Sequence, residues 1–411
     1  MVDSRYLPRV ASSLLERALA ASPVVVLMGA RQTGKSTLAR SEPFLADRLY
    51  LTLDDLDIRE HARFAAGDLL ERAPRLTLDE VPREPELLLA VKRAVDEDRP
   101  RRNGRFLLTG SANLLLMHRV SETLAGRATY VNLWPMTRGE RVGLGVPGIW
   151  SELLSAPVAE WIDLIESRPS IPADWREEAR RGGYPTPAVE LEGGDARSLW
   201  FDGYLRTYLE RDLQTMAAID NLVDFRRLMR AACLRLSAMV NQTELGRDIR
   251  VPRATVQRYL NLLETSFQLV RLAPYSVNRT KRLIKTPKLY WSDPGLALWL
   301  SGSGAVSGAH LETLVLVDLL VWRDSRVPAP EVLYWRTTTD LEVGFVIETG
   351  GRLLPIEVKA AASPGYSDTR SLRTFREEYP DRFIGGLLLH GGAETQWMSD
   401  RILAVPWWRV L

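Results

Sequence analysis

The sequence predicts an α/β fold in three parts: a helix-covered parallel sheet, a helical middle, and a mixed α/β C-terminal third. Two observations carry the prediction. Residues 1–135 alternate short apolar runs with helical stretches, a pattern that belongs to parallel sheets. The first run, Val24–Met28, leads at once into Gly29-Ala30-Arg31-Gln32-Thr33-Gly34-Lys35-Ser36. That segment fits G-x-x-x-x-G-K-[ST] in the strand–loop–helix setting the pattern requires.

Each strand has its own signal. Apolar runs place strands at Pro23–Met28, Arg48–Leu53, Arg75–Leu78, Phe106–Thr109 and Ala128–Leu133, with a helix over Glu84–Asp96 between two of them. At 411 residues the chain divides into roughly two to four domains. The expected boundaries are a parallel-sheet core over 1–135, a helical and irregular segment over 136–223, a helical module over 224–300 and a mixed α/β domain over 309–411. Ser301–Gly308 reads as a linker.

Composition narrows the function classes. Cys233 is the only cysteine, which excludes internal disulfides and cysteine-based metal clusters. His61, His118, His310 and His390 lack metal-ligand spacing. The apolar runs are too short to span a bilayer and the N-terminus reads as no signal peptide, so a cytoplasmic, non-membrane protein is expected. The net charge of +2 means that a surface for a polyanion must be a local patch. Lysine is rare: Lys35, Lys92, Lys281, Lys285, Lys288 and Lys359 are the only ones.

The motif predicts binding of ATP with Mg²⁺. Residues Gly29, Ala30, Arg31, Gln32, Thr33, Gly34, Lys35, Ser36 and Thr37 form the expected cradle. The glycines permit a tight backbone that aims amide hydrogens at phosphate oxygens, and the following helix adds its N-terminal partial charge. Lys35 would reach the β- and γ-phosphates as a point charge, and Ser36 would ligate Mg²⁺. Asp79, ending the third strand, is expected in the Mg²⁺ shell, and Glu80 is expected to activate the attacking water. After the next strand, Ser111 is the choice for sensing the γ-phosphate, with Asn113 and Thr109 as rivals. The other reading of Ser111 is a plain helix cap.

These pieces together resemble an AAA-type ATPase. Leu108-Thr-Gly-Ser-Ala-Asn113 with its preceding leucine, Ser121-Glu-Thr-Leu-Ala-Gly-Arg127 and the later Gly182-Gly-Tyr-Pro185 look more closely like a prokaryotic family. Its members join such a core to a C-terminal domain of unknown function resembling restriction-like nucleases, and the resemblance covers essentially the whole chain. It implies that Arg127 is an arginine finger or nucleotide-state sensor; a finger acting in trans requires a homo-oligomer.

The middle suggests a winged helix. Asn241-Gln-Thr-Glu244 reads as a capping box, Pro252 opens the next helix, and Val256, Leu260 and Leu263 form its apolar face. Arg253, Gln257 and Arg258 are left on other faces, as in the second helix of a helix-turn-helix. From Thr265 to Ser292 there is no acidic residue, and Arg279, Lys281, Arg282 and Lys285 would make a basic wing along DNA phosphates. A protein-docking surface is the alternative.

In the last third, Leu341–Glu348, a Gly-Gly turn and Leu353–Lys359 read as a β-hairpin. The nuclease resemblance falls on Glu357 and Lys359, two apart and therefore on one strand face, with Glu312 at a further acidic position. Where that pattern has Glu-Val-Asp this chain has Glu342-Val-Gly344, and glycine supplies no ligand. Glu342 or Asp340 would have to compensate; otherwise the domain binds DNA or a partner, or Glu357 and Lys359 form a surface ion pair. The combined expectation is an ATPase acting on DNA, the alternatives being an ATP-gated interaction switch and an ATP-gated nuclease.

Overall fold

The computed structural model describes residues 6–98, 100–110, 123–207, 219 and 221–411. Ser111 and Asn113 lie outside the described residues, and so does the side chain of Lys281.

The first third runs α1 (Ala11–Ala21), β1 (Val24–Met28), α2 (Lys35–Ser41), β2 (Leu49–Thr52), α3 (Leu56–Phe64), α4 (Ala66–Leu70), β3 (Leu76–Asp79), α5 (Leu87–Glu97), β4 (Phe106–Thr109) and β5 (Ala128–Asn132). The strands are parallel in the order β2-β3-β4-β1-β5. All five residues of β1 are buried, as a central strand covered on both faces requires. Placing β4 between β1 and β3 matters for the site. Leu78 pairs with Leu108 and Thr109 with Leu27. The ends of β3 and β4 therefore stand level beside the loop leaving β1.

The middle contains α6 (Arg138–Arg141), α7 (Trp150–Ser155), α8 (Trp161–Ser167), α9 (Trp175–Arg181), a π-helical turn over Thr186–Glu190, α10 (Gly194–Tyr204), α11 (Leu222–Cys233), α12 (Gln242–Ile249), α13 (Arg253–Thr265), β6 (Leu269–Leu272), α14 (Arg279–Ile284), β7 (Lys288–Trp291) and α15 (Pro294–Ser301). Asn241 caps α12 by accepting from the Thr243 and Glu244 amides. β6 and β7 pair antiparallel. Residues 136–223 do not pack as one unit. Trp150, Leu153, Trp161 and Trp175 share a core with the C-terminal sheet. Tyr184, Phe201 and Tyr204 instead join the core of α11–α13.

The C-terminal third runs α16 (Gly308–Asp324), β8 (Glu331–Arg336), β9 (Glu342–Thr349), β10 (Arg352–Lys359), α17 (Arg370–Glu378), β11 (Gly386–His390), β12 (Gln396–Ser399), β13 (Ile402–Pro406) and α18 (Trp407–Val410). The sheet order is β12-β13-β11-β10-β9-β8. The expected hairpin is present: Gly350 and Gly351, at φ 55° and 79°, make the two-residue turn between β9 and β10. α16 is buried nearly all round, between this sheet and the middle helices. Among the described residues no helix is long and apolar enough to cross a membrane.

Candidate functional site

The loop after β1 has the backbone its glycines allow. Gly34 is left-handed at φ 94°, and Gln32 also takes a positive φ of 63°. A Cβ on Gly29 would lie 2.2 Å from the Leu133 carbonyl oxygen, so only glycine lets the loop pass the end of β5. Lys35 is 5% exposed. Its ammonium donates to the carbonyls of Gly29 (3.2 Å) and Ala30 (2.7 Å). Burial pushes it down to about 8, against the pull of Glu80 and Asp79.

The sheet register delivers the acidic residues. The Ser36 hydroxyl donates to Asp79 Oδ1 at 3.1 Å, and the Thr109 hydroxyl donates to the same oxygen. Tyr50 OH donates to Asp79 Oδ2 at 2.5 Å. Asp79 is thus clamped by β2, β4 and α2, with a hydroxyl–carboxylate oxygen pair of the kind Mg²⁺ prefers. Glu80 follows in a left-handed conformation (φ 57°), and its amide donates to Thr109 at 3.3 Å. Burial raises the Glu80 carboxyl above the ordinary range, opposed by nearby Lys35.

The loop is framed from outside its motif. Arg9, buried before α1, donates to the carbonyls of Thr33 (2.8 Å) and Trp134 (2.7 Å) and stands 3.2 Å from Glu140. From the other side Tyr204 OH donates to the Arg31 carbonyl at 3.3 Å, and Gln268 Nε2 donates to Tyr204 OH at 3.1 Å. Ala30 itself belongs to the core of the helical module. The Gly182-Gly-Tyr-Pro segment is a strut. The Gly183 amide donates to buried Asp293 (2.5 Å), its carbonyl accepts from Met136 (2.6 Å), and a Cβ on Gly34 would lie 3.6 Å from Pro185. Sequence reading missed Arg9, Tyr50, Tyr204 and Asp293, because each meets the site across a long chain separation and none belongs to a local motif.

Three expectations are corrected. Arg127 precedes β5 at the N-terminal edge of the sheet, level with Val24 and opposite the phosphate-binding end, where it pairs with Asp96 at 2.6 Å. It cannot sense nucleotide within its own chain. Arg282 does not face solvent. It is buried and pairs with Glu331 and, at 2.5 Å, with Glu348. The basic connection between β6 and β7 is not a free wing either: the Tyr275 amide donates to Tyr334 at 2.5 Å, which stitches it to the edge strand β8. Arg253, Gln257, Arg258, Arg279 and Lys285 are exposed, and Arg258 lies over the Tyr259 ring.

The C-terminal residues do come together. Lys359 pairs with Glu357 at 2.7 Å, and Glu357 accepts from the Gly344 amide at 3.3 Å. Burial pushes Glu357 up to about 6 in spite of Lys359. Glu312 and Glu342 both meet buried Lys288. Among the described residues, however, no three His, Cys, Asp or Glu side chains gather into a metal-holding group.

A protein of Mycobacterium tuberculosis and one of Mycobacterium bovis, both bearing the name uncharacterized protein, are 31% identical to this chain over 410 residues. The alignment covers 97% of this chain and 83% of each relative. The chain belongs to their family. A Haemophilus influenzae protein, likewise named uncharacterized, is 22% identical over 69% of this chain and 66% of its own length. Within the family architecture, residues 21–142 match the AAA domain, so the first third is a P-loop AAA-type ATPase domain. Residues 172–307 match the domain of unknown function DUF8612, and 307–410 the domain of unknown function DUF4143. Among solved structures, a Walker-type ATPase of Pyrococcus abyssi is similar at 18% identity and TM-score 0.45, covering 73% of this chain and 99% of that one. Thermotoga maritima RuvB follows at 17% and 0.29, covering 64% and 88%.

Proposed function

We propose that this chain binds Mg²⁺–ATP in the loop 29–37 and hydrolyses it, with the nucleotide state passed to the helical and C-terminal parts. The observation that carries this reading is the convergence of Lys35, Ser36, Asp79 and Glu80 at one end of the parallel sheet. Lys35 holds the β- and γ-phosphates. Ser36 and Asp79 are the residues that would hold Mg²⁺, which would neutralise charge on the phosphate oxygens. Glu80, its pKa moved toward neutrality, takes the proton of the attacking water. Thr109 and Tyr50 keep Asp79 in place. Lys35→Ala should abolish nucleotide binding, and Glu80→Gln should bind ATP yet lose turnover by about 10²-fold or more. Equal turnover in Glu80→Gln and the native chain would remove Glu80 from this role.

The consumption of Arg282 and Lys288 by internal carboxylates favours an ATP-gated switch between parts of the protein. Action on DNA is the second reading, favoured by Arg253 and Gln257, which stand exposed at the start of α13. Turnover measured with and without duplex DNA separates the two, since only the second expects stimulation. A homo-oligomer would be needed for Arg127 of one subunit to reach a nucleotide on another.

A further inference from the structure

The carboxylates of the C-terminal domain already have a cation among them. Lys288, on β7 of the helical module, is 2% exposed. Its ammonium lies 2.6 Å from Glu342 Oε1 and 3.4 Å from Glu312 Oε2. Glu312 Oε2 also accepts from Tyr290 OH and Ser237 Oγ, each at 2.9 Å. One oxygen of the C-terminal domain thus takes three donors, all from the helical module. The rings of Tyr290 and Tyr334 lie 5.7 and 6.0 Å from the ammonium and add cation–π attraction.

Each carboxylate has a cationic partner from the chain itself. Lys288 serves Glu312 and Glu342, Arg336 stands 3.7 Å from the other oxygen of Glu342 while also holding exposed Asp340, and Lys359 serves Glu357. A divalent ion needs several oxygens at roughly 2.0–2.6 Å and would compete for the Glu312 oxygen that three donors already cover. Gly344 is not forced by crowding. A Cβ there would meet only Ile356 O at 3.7 Å and Glu312 Oε2 at 3.9 Å. What a carboxylate at 344 would bring is an anion with no partner left. A compact ammonium suits this socket better than a planar guanidinium, in a chain where lysine is otherwise scarce.

We infer that Lys288 is the resident cation between Glu312 and Glu342: its ammonium occupies the space a metal would need between those two carboxylates, and so the pair fastens the helical module to the C-terminal domain instead of holding a metal. The test uses the full chain, free of nucleotide, titrated with MnCl2 and followed by the electron paramagnetic resonance of free Mn²⁺. Native protein should show no Mn²⁺ site that Glu312→Gln removes. Lys288→Met should gain Mn²⁺ uptake at least tenfold tighter, and adding Glu312→Gln should abolish the gain. In Lys288→Met the amides of residues 237–240 and 288–291 should exchange hydrogen at least tenfold faster, reporting the loosened joint. Lys288→Arg, which keeps the charge, should still exclude Mn²⁺. A Mn²⁺ site in the native chain that Glu312→Gln removes would overturn the inference. So would a folded Lys288→Met that takes up Mn²⁺ no better than the native chain. If Lys288→Met fails to fold, the native and Glu312→Gln titrations decide alone.

Discussion

Replacing Arg9 with methionine asks whether the phosphate-binding loop depends on a residue outside its motif. Arg9 is 5% exposed and grips two carbonyls, those of Thr33 and Trp134, at 2.8 and 2.7 Å. Methionine keeps much of the aliphatic stem and loses both charge-assisted hydrogen bonds, each worth roughly 1.5–3 kcal/mol. Glu140 would keep the amides of Val10 (2.8 Å) and Thr137 (2.9 Å) but lose its cation. The combined cost is about 3–5 kcal/mol, a large share of the ~5–15 kcal/mol that holds a typical domain together. Freed from Arg9, the Thr33 carbonyl no longer fixes the turn that presents the amides to phosphate, and ADP affinity should fall about tenfold. With ADP at a hundred times the native Kd, ligand stabilisation is about 2.7 kcal/mol for the native chain and about 1.4 kcal/mol for the variant. Thermal unfolding with and without Mg²⁺–ADP reads both quantities. Arg9→Lys, which keeps the charge but reaches fewer carbonyls, should fall between the two. An Arg9→Met chain that melts with the native protein and shows the same nucleotide shift would refute the reasoning.

Three further predictions follow from charges in the structure. Lys35, held near 8 by burial against an ordinary 10.5, makes the unfolded chain bind more protons between pH 8 and 10.5. Its burial penalty is therefore full below pH 8 and relieved as pH climbs through that window, while nucleotide affinity runs the other way, falling by up to about tenfold per unit above pH 8; a flat profile of ATP Kd from pH 7 to 9 would contradict this. Arg282→Met should cost about 3 kcal/mol by stranding buried Glu348 with only Arg382. It should leave any salt dependence of duplex binding unchanged, whereas Arg253→Ala should lower that slope by about one if α13 meets phosphate. Arg127→Ala should keep ATP affinity and lose turnover only at protein concentrations where chains associate; loss of turnover in dilute monomer would contradict its place at the far edge of the sheet.

Much of the nucleotide site was legible because its chemistry is local. Gly29 through Ser36 are contiguous, Asp79 and Glu80 end an apolar run, and the strand boundaries agree with the observed ones to within a residue or two. The hairpin of β9 and β10 announced itself through Gly350-Gly351. What sequence could not give was partnership across distance. Arg282 read as a wing charge because the glutamates that neutralise it come 49 and 66 residues later. A segment without acidic residues looks free to bind phosphate until the fold brings acids from elsewhere. Arg9 and Tyr204 carry no pattern at all: an arginine before a helix and a tyrosine at the end of one are common, and only the packed chain shows both holding carbonyls of the same loop.

The framing of that loop bears on how the protein is made. Synthesis delivers Gly29 through Ser36 early, and an N-terminal domain ordinarily folds as it leaves the ribosome. Here the Arg31 carbonyl waits for Tyr204, and Tyr204 waits for Gln268. Trp134 must also arrive before Arg9 can finish its grip. On a growing chain the parallel sheet can assemble while its most reactive turn is still unbraced, and that turn is completed only when well over half of the polypeptide has emerged. A nascent chain stalled before that point would carry every residue of the nucleotide motif and the Arg9 brace, and lack the Gln268 support of the Tyr204 brace.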